Sequence, residues 1–311
     1  MPPGTRASVH ENGMFGVELE FFILTGEFRP AFDSSSAILR AWEQGANGGC
    51  VCPEVASFQI EVNPGPWPLN RAGLFTAMED LGRTIGSLKR VVEDHGLILD
   101  PSTFVPHLSS QDLENPSFFT QEPTCVASAR YFEHRSAVLA WENGQTLQLH
   151  GDRVIGCINE IHIHVQHRTD CETLQFFNFL NQAGNTTCAR FQSPITVNGA
   201  PLTKACTTMK LFEQANGEWN KDRSLRRVGF LPFSVHSFEE YVAVVDGFTP
   251  VAEPSLLDPF RAVYFWVRLR GEPGRLRVEF RPMEMSTNWQ ERVCHLADVA
   301  FTFQRAPQRY Y

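Results

Sequence analysis

The chain has 311 residues, 42% of them hydrophobic and 20% charged, with a formal net charge of −8. That acidic balance lacks the basic footprint of a nucleic-acid surface, and no run of about 18 apolar residues exists to cross a membrane. Twenty-five Phe and six Trp supply a large core, and eight scattered Cys in so long a chain read as the thiols of a reduced, cytoplasmic protein.

Residues 1–13 read as a leader without the apolar core of a signal peptide. Met14–Leu24 then reads as a strand with two faces. Side chains alternate across a strand, so Phe15, Val17, Leu19 and Phe21 point one way and Glu18 and Glu20 the other. A short helix is expected over 36–44, followed by a Gly-rich loop over 45–52. Cys50 and Cys52 in that loop lack the second pair that a zinc framework needs and read as incidental thiols. In the stretch 53–64, Phe58, Ile60 and Val62 alternate with Gln59, Glu61 and Asn63, with Glu54 just ahead of them and Pro64 and Pro66 ending the strand. The apolar spacing of Leu74, Met78, Leu81, Ile85, Leu88 and Val92 predicts a helix over 70–95, capped by Asn70 and closed by Gly96.

Residues 106–123 read as a loop able to approach a ligand, a helix is expected from Arg130 to Ala140, and Asn143-Gly144 marks a turn. The third two-faced strand is 157–166, with Glu160, His162, His164 and Gln166 on its polar side. A helix follows over 172–183, a loop-rich stretch over 190–235, and a short helix over 237–245 with Ser237 and Glu240 as its capping pair. A hairpin, 264–270 and 275–281, turns on Gly-Glu-Pro-Gly. Leu276, Val278 and Phe280 face its core side, and Arg277, Glu279 and Arg281 the other. A helix over 286–304 closes the chain.

If these strands share one sheet, their polar faces converge and bring together Glu18, Glu20, Glu54, Glu61, Glu279, His162, His164 and Arg281. Two carboxylates about 4 Å apart repel by roughly 4 kcal/mol at an effective dielectric of 20. Several such pairs rival a typical folding stability of about 5–15 kcal/mol, so raised pKa values or bound cations must relieve them. A mostly carboxylate site with one imidazole suits Mg²⁺ or Mn²⁺ better than zinc. Any one strand alone also fits a solvated outward face. A cupin-type iron or zinc site would use His-x-His but needs a third His on a strand, and no other His stands on a convincing one.

Four stretches, Gly-Val-Glu-Leu-Glu-Phe-Phe (16–22), Gln-Ile-Glu-Val-Asn-Pro (59–64), Ile-His-Ile-His-Val (161–165) and Arg-Val-Glu-Phe-Arg (277–281), resemble the carboxylate–amine ligases of the glutamine synthetase superfamily. The nearest branch is the glutamate–cysteine ligase-like one, with amidoligase relatives beside it. The resemblance implies an α+β fold in which an antiparallel sheet forms a funnel with helices on its outer face, a single catalytic domain over 14–311, and ATP with two or three Mg²⁺ or Mn²⁺ ions. It implies that Glu18, His162 and Glu279 hold one ion and Glu20, Glu54 and Glu61 another. His164, Arg268 and Lys210 would sit by the nucleotide, and Arg281 would steady the transferring phosphoryl group, with Glu279 and Arg281 the catalytic pair. The implied reaction joins a small-molecule carboxylate to an amine through an acyl phosphate. Departures are Glu160 and Gln166 where Gly is usual, and Glu284 where Asp is commoner. On this reading Glu279→Gln removes a metal ligand without disturbing the core. A phosphotransferase without ligation and a non-catalytic relative are the competing readings, and oligomeric state is left open.

Overall fold

The computed structural model describes residues 13–45, 50–131, 133, 135–203, 207–217, 228–247 and 263–305. The expected leader, apart from Gly13, lies outside them, as do Lys204 and residues 218–227 of the loop-rich stretch. In chain order the elements begin with β1 (Met14–Leu24), α1 (Ser34–Gln44), β2 (Val51–Pro53), β3 (Gln59–Val62), β4 (Trp67–Pro68), α2 (Arg71–Asp94) and β5 (Ile98–Asp100). Next come α3 (Ser110–Leu113), α4 (Pro123–Tyr131), β6 (Ser136–Ala140), β7 (Thr146–His150), α5 (Arg153–Gly156), β8 (Glu160–Gln166) and α6 (Asp170–Ala189). The remainder is β9 (Thr196–Val197), β10 (Ala200–Pro201), α7 (Thr208–Ala215), β11 (Val228–Gly229), α8 (Phe238–Gly247), β12 (Tyr264–Phe265), β13 (Val267–Arg270), β14 (Arg277–Glu284) and α9 (Trp289–Arg305). The architecture is α+β.

The main sheet runs in the order β13-β14-β8-β1-β3-β2, with β4 and β5 also pairing with β1, and every pairing in it is antiparallel. Its centre is β1, whose eleven residues meet β8 and β5 along one edge and β4 and β3 along the other. One side of the sheet is covered by helices: α2 lies against β3 to β5, α6 against β13 and β14, and α9 against β8. The site's polar side chains project from the other side. The α2 start is fixed by Asn70, whose side chain accepts from Gly73 N at 2.8 Å, and the chain leaves at Gly96 with φ +71°, the left-handed turn that glycine takes without strain. Thr169 caps α6 in the same way through Glu172 N at 3.1 Å. At α8, Ser237 Oγ accepts from Glu240 N at 3.1 Å while Glu240 Oε2 accepts from His236 N at 2.6 Å.

Four expectations need correction. The helix expected from Arg130 to Ala140 is instead the end of α4 followed by β6, because Ala137 and Leu139 alternate inward against Ser136 and Val138. The Gly144 turn joins β6 to β7. That hairpin puts His150 on a strand after all, but in a separate two-stranded sheet, away from His162 and His164. The loop expected over 45–52 ends in β2, an edge strand paired to β3, and the stretch 190–235 contains the β9–β10 hairpin and α7. Among the described residues, no helix is long and apolar enough to cross a membrane.

Part of the core is an aromatic cluster at the end of β1 and β3. Phe58 lies 5.4 Å from Phe32 and 5.3 Å from Phe118, centroid to centroid and edge-on to both, and 6.1 Å from Phe22. It is fully buried. Phe58→Ala should therefore cost about 3–5 kcal/mol in a denaturant titration. A loss below about 1 kcal/mol would mean that the cluster does not close the sheet end.

Candidate active site

The register itself assembles the site, because residues directly opposite on antiparallel strands point to the same face. On one rung Cys52 of β2 stands opposite Glu61 of β3, which stands opposite Glu20 of β1. On the next, Glu18 stands opposite His162 of β8. On the third, Gly16 faces His164, which faces Glu279 of β14, which faces Arg268 of β13. The register of β13 on β14 is pinned by a turn in which Gly271 takes φ +98°, with the carbonyl of Arg275 so close that no side chain would fit.

These faces line one cleft of about 680 Å³, closed opposite the sheet by Thr124 and Cys125 of α4, Ile155 of α5 and Tyr264 of β12. The solvated-face reading fails on burial. Glu20, Glu61, His162, Glu279 and Arg268 each keep less than a tenth of their surface exposed. Of the expected site residues, Glu18, Glu20, Glu54, Glu61, His162, His164, Glu279, Arg268 and Arg281 all line the cleft. Lys210 does not. It is exposed in the first turn of α7, and the helix start is held instead by Glu284, which accepts from Thr208 N at 3.3 Å and Ser193 N at 2.9 Å.

The cleft has an acidic wall and a basic wall. On the acidic wall one carboxylate oxygen each from Glu20, Glu54 and Glu61 lies within 4.8 Å of the others. Burial, with Glu54 and Glu160 adding to it, raises Glu20 from the usual 4.5 to about 8 against the pull of His162. Burial, then Glu18 and Glu54, raises Glu61 to about 9. Glu18 goes the other way: burial opposes it, but His162 and His164 hold its carboxyl well below the ordinary range. His162 Nδ1 meets Glu18 Oε2 at 3.0 Å, and His164 Nε2 meets Glu18 Oε1 at 2.8 Å. The other nitrogen of His162 lies 3.7 Å from Glu20 Oε1 and 3.5 Å from Glu160 Oε2. Burial and Arg281 lower its basicity, yet Glu160, Glu18 and Glu20 prevail and raise it from 6.5 to about 10.

The basic wall centres on Glu279. Arg281 Nη1 pairs with its Oε1, Arg270 Nε reaches Oε2 at 2.5 Å, and Arg268 Nη1 stands 3.8 Å from Oε1. Burial opposes ionisation, but the three guanidiniums hold Glu279 well below the carboxylate range. Arg281 and Arg268 also lie over the Tyr264 ring, 4.5 and 5.1 Å from its centroid, and Arg281 donates to the Tyr264 hydroxyl at 2.7 Å. This overturns the expectation that Glu279→Gln is harmless to folding. Removing one partner of a buried charge cluster typically costs about 3–5 kcal/mol. Arg270, Tyr264 and Cys52 are the residues that reading the sequence left out. The signal for Arg270 was present, since it alternates with Arg268 across a hairpin from Glu279.

The donors fit a hard divalent cation: three clustered carboxylates, two of them kept protonated at neutral pH by burial and then by their acidic neighbours, with a buried imidazole nitrogen 3.7 Å from one of them. The opposing guanidiniums fit a polyanion such as a phosphate chain.

No family model matches the chain, and no curated protein matches it. Solved structures share its fold. A bifunctional glutathione synthetase from Pasteurella multocida superposes with a TM-score of 0.53 at 14% identity over 94% of this chain. A glutamate–cysteine ligase from Francisella tularensis in complex with AMP gives 0.53 at 12% identity over 88% of this chain. The chain spans only 38% and 61% of the lengths of those two proteins.

The charge state predicts a pH dependence. Glu20 and Glu61 bind protons more tightly folded than unfolded, so their cost is absent below about pH 4.5 and grows as pH rises through about 8 and 9. The stabilising charge of His162 is fully present below about pH 6.5 and is lost through about 10. The metal-free protein should therefore lose Tm steadily from about pH 5 to 10, and the gain in Tm on adding Mg²⁺ should be larger near pH 8.5 than near pH 6, where the ion must displace protons. A gain independent of pH, measured by scanning calorimetry, would contradict this.

Proposed function

We propose that this chain is an ATP- and Mg²⁺-dependent carboxylate–amine ligase of the glutamine synthetase superfamily, glutamate–cysteine ligase-like, with glutamate or another amino acid as acyl donor. The observation that carries the reading is the pairing of walls: a carboxylate trio within 4.8 Å on one side of the cleft, and Arg268, Arg270 and Arg281 gathered on Glu279 on the other. The likeness in fold to two amide-forming ligases, one of them holding AMP, supports it. Cys50, Cys52, Cys157, Cys171, Cys188 and Cys294 are free thiols, in keeping with a reducing, cytoplasmic setting.

Phosphoryl transfer asks the protein for positioning and charge neutralisation rather than a nucleophile. Glu20, Glu54 and Glu61 would hold one Mg²⁺ or Mn²⁺ ion, and Glu18, with His162 and Glu279 beside it, a second. Bound there, divalent ions would neutralise phosphate oxygens and favour transfer. Arg281, stacked on Tyr264 and fixed by Glu279, is preorganised to meet charge on the transferring phosphoryl group. Arg268 is held from both ends, by Val263 O at 3.2 Å and by Glu279. His164 stands beside Glu18 at the opening into a neighbouring recess of about 360 Å³. The acid's carboxylate would accept the terminal phosphoryl group of ATP, releasing ADP. The amine would then attack the acyl carbon, and phosphate would leave as the amide forms.

The test is turnover of ATP and Mg²⁺ with pairs of amino acids, following ADP, phosphate and the amide together. A phosphorylated acid without amide would point to a phosphotransferase, and neither turnover nor nucleotide binding would sink the reading. Glu61→Gln is the informative variant. It replaces a carboxyl that burial keeps protonated up to about pH 9, so the metal-free protein should melt no lower than wild type above pH 7, while turnover falls by about a hundredfold or more. Loss of turnover accompanied by a lower melting point would instead mark Glu61 as a structural residue.

A further inference from the structure

Cys52 is the residue that the oxygen-only description leaves unexplained. Its strand pairing sets it directly opposite Glu61, its Sγ lies 3.2 Å from Glu61 Oε1, and it lines the cleft beside Glu54. A separation of 3.2 Å is close to what two ligands of one small cation take up, given metal–sulfur and metal–oxygen bonds of about 2.3 and 2.1 Å. His162 Nε2 is buried without a hydrogen-bond partner, 3.7 Å from Glu20 Oε1 and 3.5 Å from Glu160 Oε2. The thiol therefore flanks the carboxylate trio at Glu61 and the imidazole nitrogen flanks it at Glu20. For Mg²⁺ the sulfur is a poor donor, whereas it strongly favours thiophilic ions of the zinc and cadmium class.

We propose that Cys52 Sγ is an additional donor at the Glu20–Glu54–Glu61 cluster, so that the cleft also binds a thiophilic divalent cation, which excludes the hard ion and blocks the site. Binding displaces the thiol proton, together with the protons that the coordinating carboxyls hold, and releases them to solvent, and nothing is oxidised or reduced. The inference deepens the proposed function, because it rests on the trio being a cation site. It also gives Cys52 a role distinct from the hard-ion chemistry: it makes the site sensitive to traces of soft metal.

The experiment titrates the metal-free full-length protein with Cd²⁺ and follows the ultraviolet thiolate-to-cadmium absorption. Wild type should show a component that saturates at one ion per chain and is suppressed by excess Mg²⁺. In Cys52→Ser that component should vanish, with Cd²⁺ affinity at the Mg²⁺-competed site down about tenfold or more and the Mg²⁺-induced thermal shift retained. The other cysteines contribute equally to both proteins and cancel in the difference. Equal absorption from the two proteins, or a band that Mg²⁺ does not displace, overturns the proposal. Cd²⁺ that competes with Mg²⁺ but raises no thiolate band overturns it while leaving the carboxylate site standing. Failure of both ions to bind removes the carboxylate site as well.

Discussion

Everything at the centre of this molecule follows from setting Glu20 opposite Glu61 on adjacent strands with almost no solvent reaching either. The backbone ladder that makes the pair is favourable, while the charges it juxtaposes are not. Slipping β3 by one residue would relieve the repulsion but would turn Ile60 and Val62 into the cleft and Glu61 into the core. The hydrophobic pattern of β1 and β3 therefore enforces a contact that the carboxylates resist. The protein answers partly by protonation, through the raised values of Glu20 and Glu61, and partly by placing a cationic His162 alongside. Both answers are replaceable by a ligand, because both are protons.

The basic wall obeys the opposite logic. Arg268, Arg270 and Arg281 would repel one another, and Glu279 at their centre makes the group stable without a ligand. Tyr264 adds a face on which two of the guanidiniums rest, and Arg135 approaches the same ring at 5.4 Å. This wall carries its own counter-charge, with Arg268 Nε and Arg281 Nε left without a hydrogen-bond partner, whereas the acidic wall awaits compensation. The two are held apart by the width of β1 and β8, and His164, opposite Glu279 and in contact with Glu18, bridges them.

The strands that carry the site were legible because period-two alternation between Phe, Ile or Val and Glu or His is a strong signal with one physical cause. What it could not supply was pairing partners. Nothing in Arg-Val-Glu-Phe-Arg says that Glu279 will spend its charge on Arg270 across a hairpin, which is why its removal looked harmless. Short elements were lost for a different reason: β2 has three residues after a Gly-rich run, too few for any period to show, and with it went the placement of Cys52 beside Glu61. The β6–β7 hairpin was misread because Arg135 is a buried charge at the start of β6, paired with Asp152 at 3.0 Å, and breaks the polar-out pattern. Lys210 was assigned by position along the chain, where only the path of α7 could decide.

A site assembled on five neighbouring strands of one sheet differs from one carried on loops in how it couples to folding. Except for Glu54, which follows β2 outside the ladder, each acidic or basic side chain here is fixed by ladder hydrogen bonds and by core packing on the opposite face, so it cannot swing away from an unfavourable neighbour. Repulsion that a loop would dissipate by moving is retained, and it is released only when a proton or a cation arrives. Cation binding and fold stability are then two readings of the same free energy, and the pH at which protons leave Glu20 and Glu61 is the pH at which the cleft is most in need of a cation. The buried Glu160, 3.5 Å from His162 through Oε2 and with its other oxygen unpartnered, adds one more negative group to that balance. Its presence in the row behind Glu20 makes the pocket more demanding of positive charge than the trio alone would be.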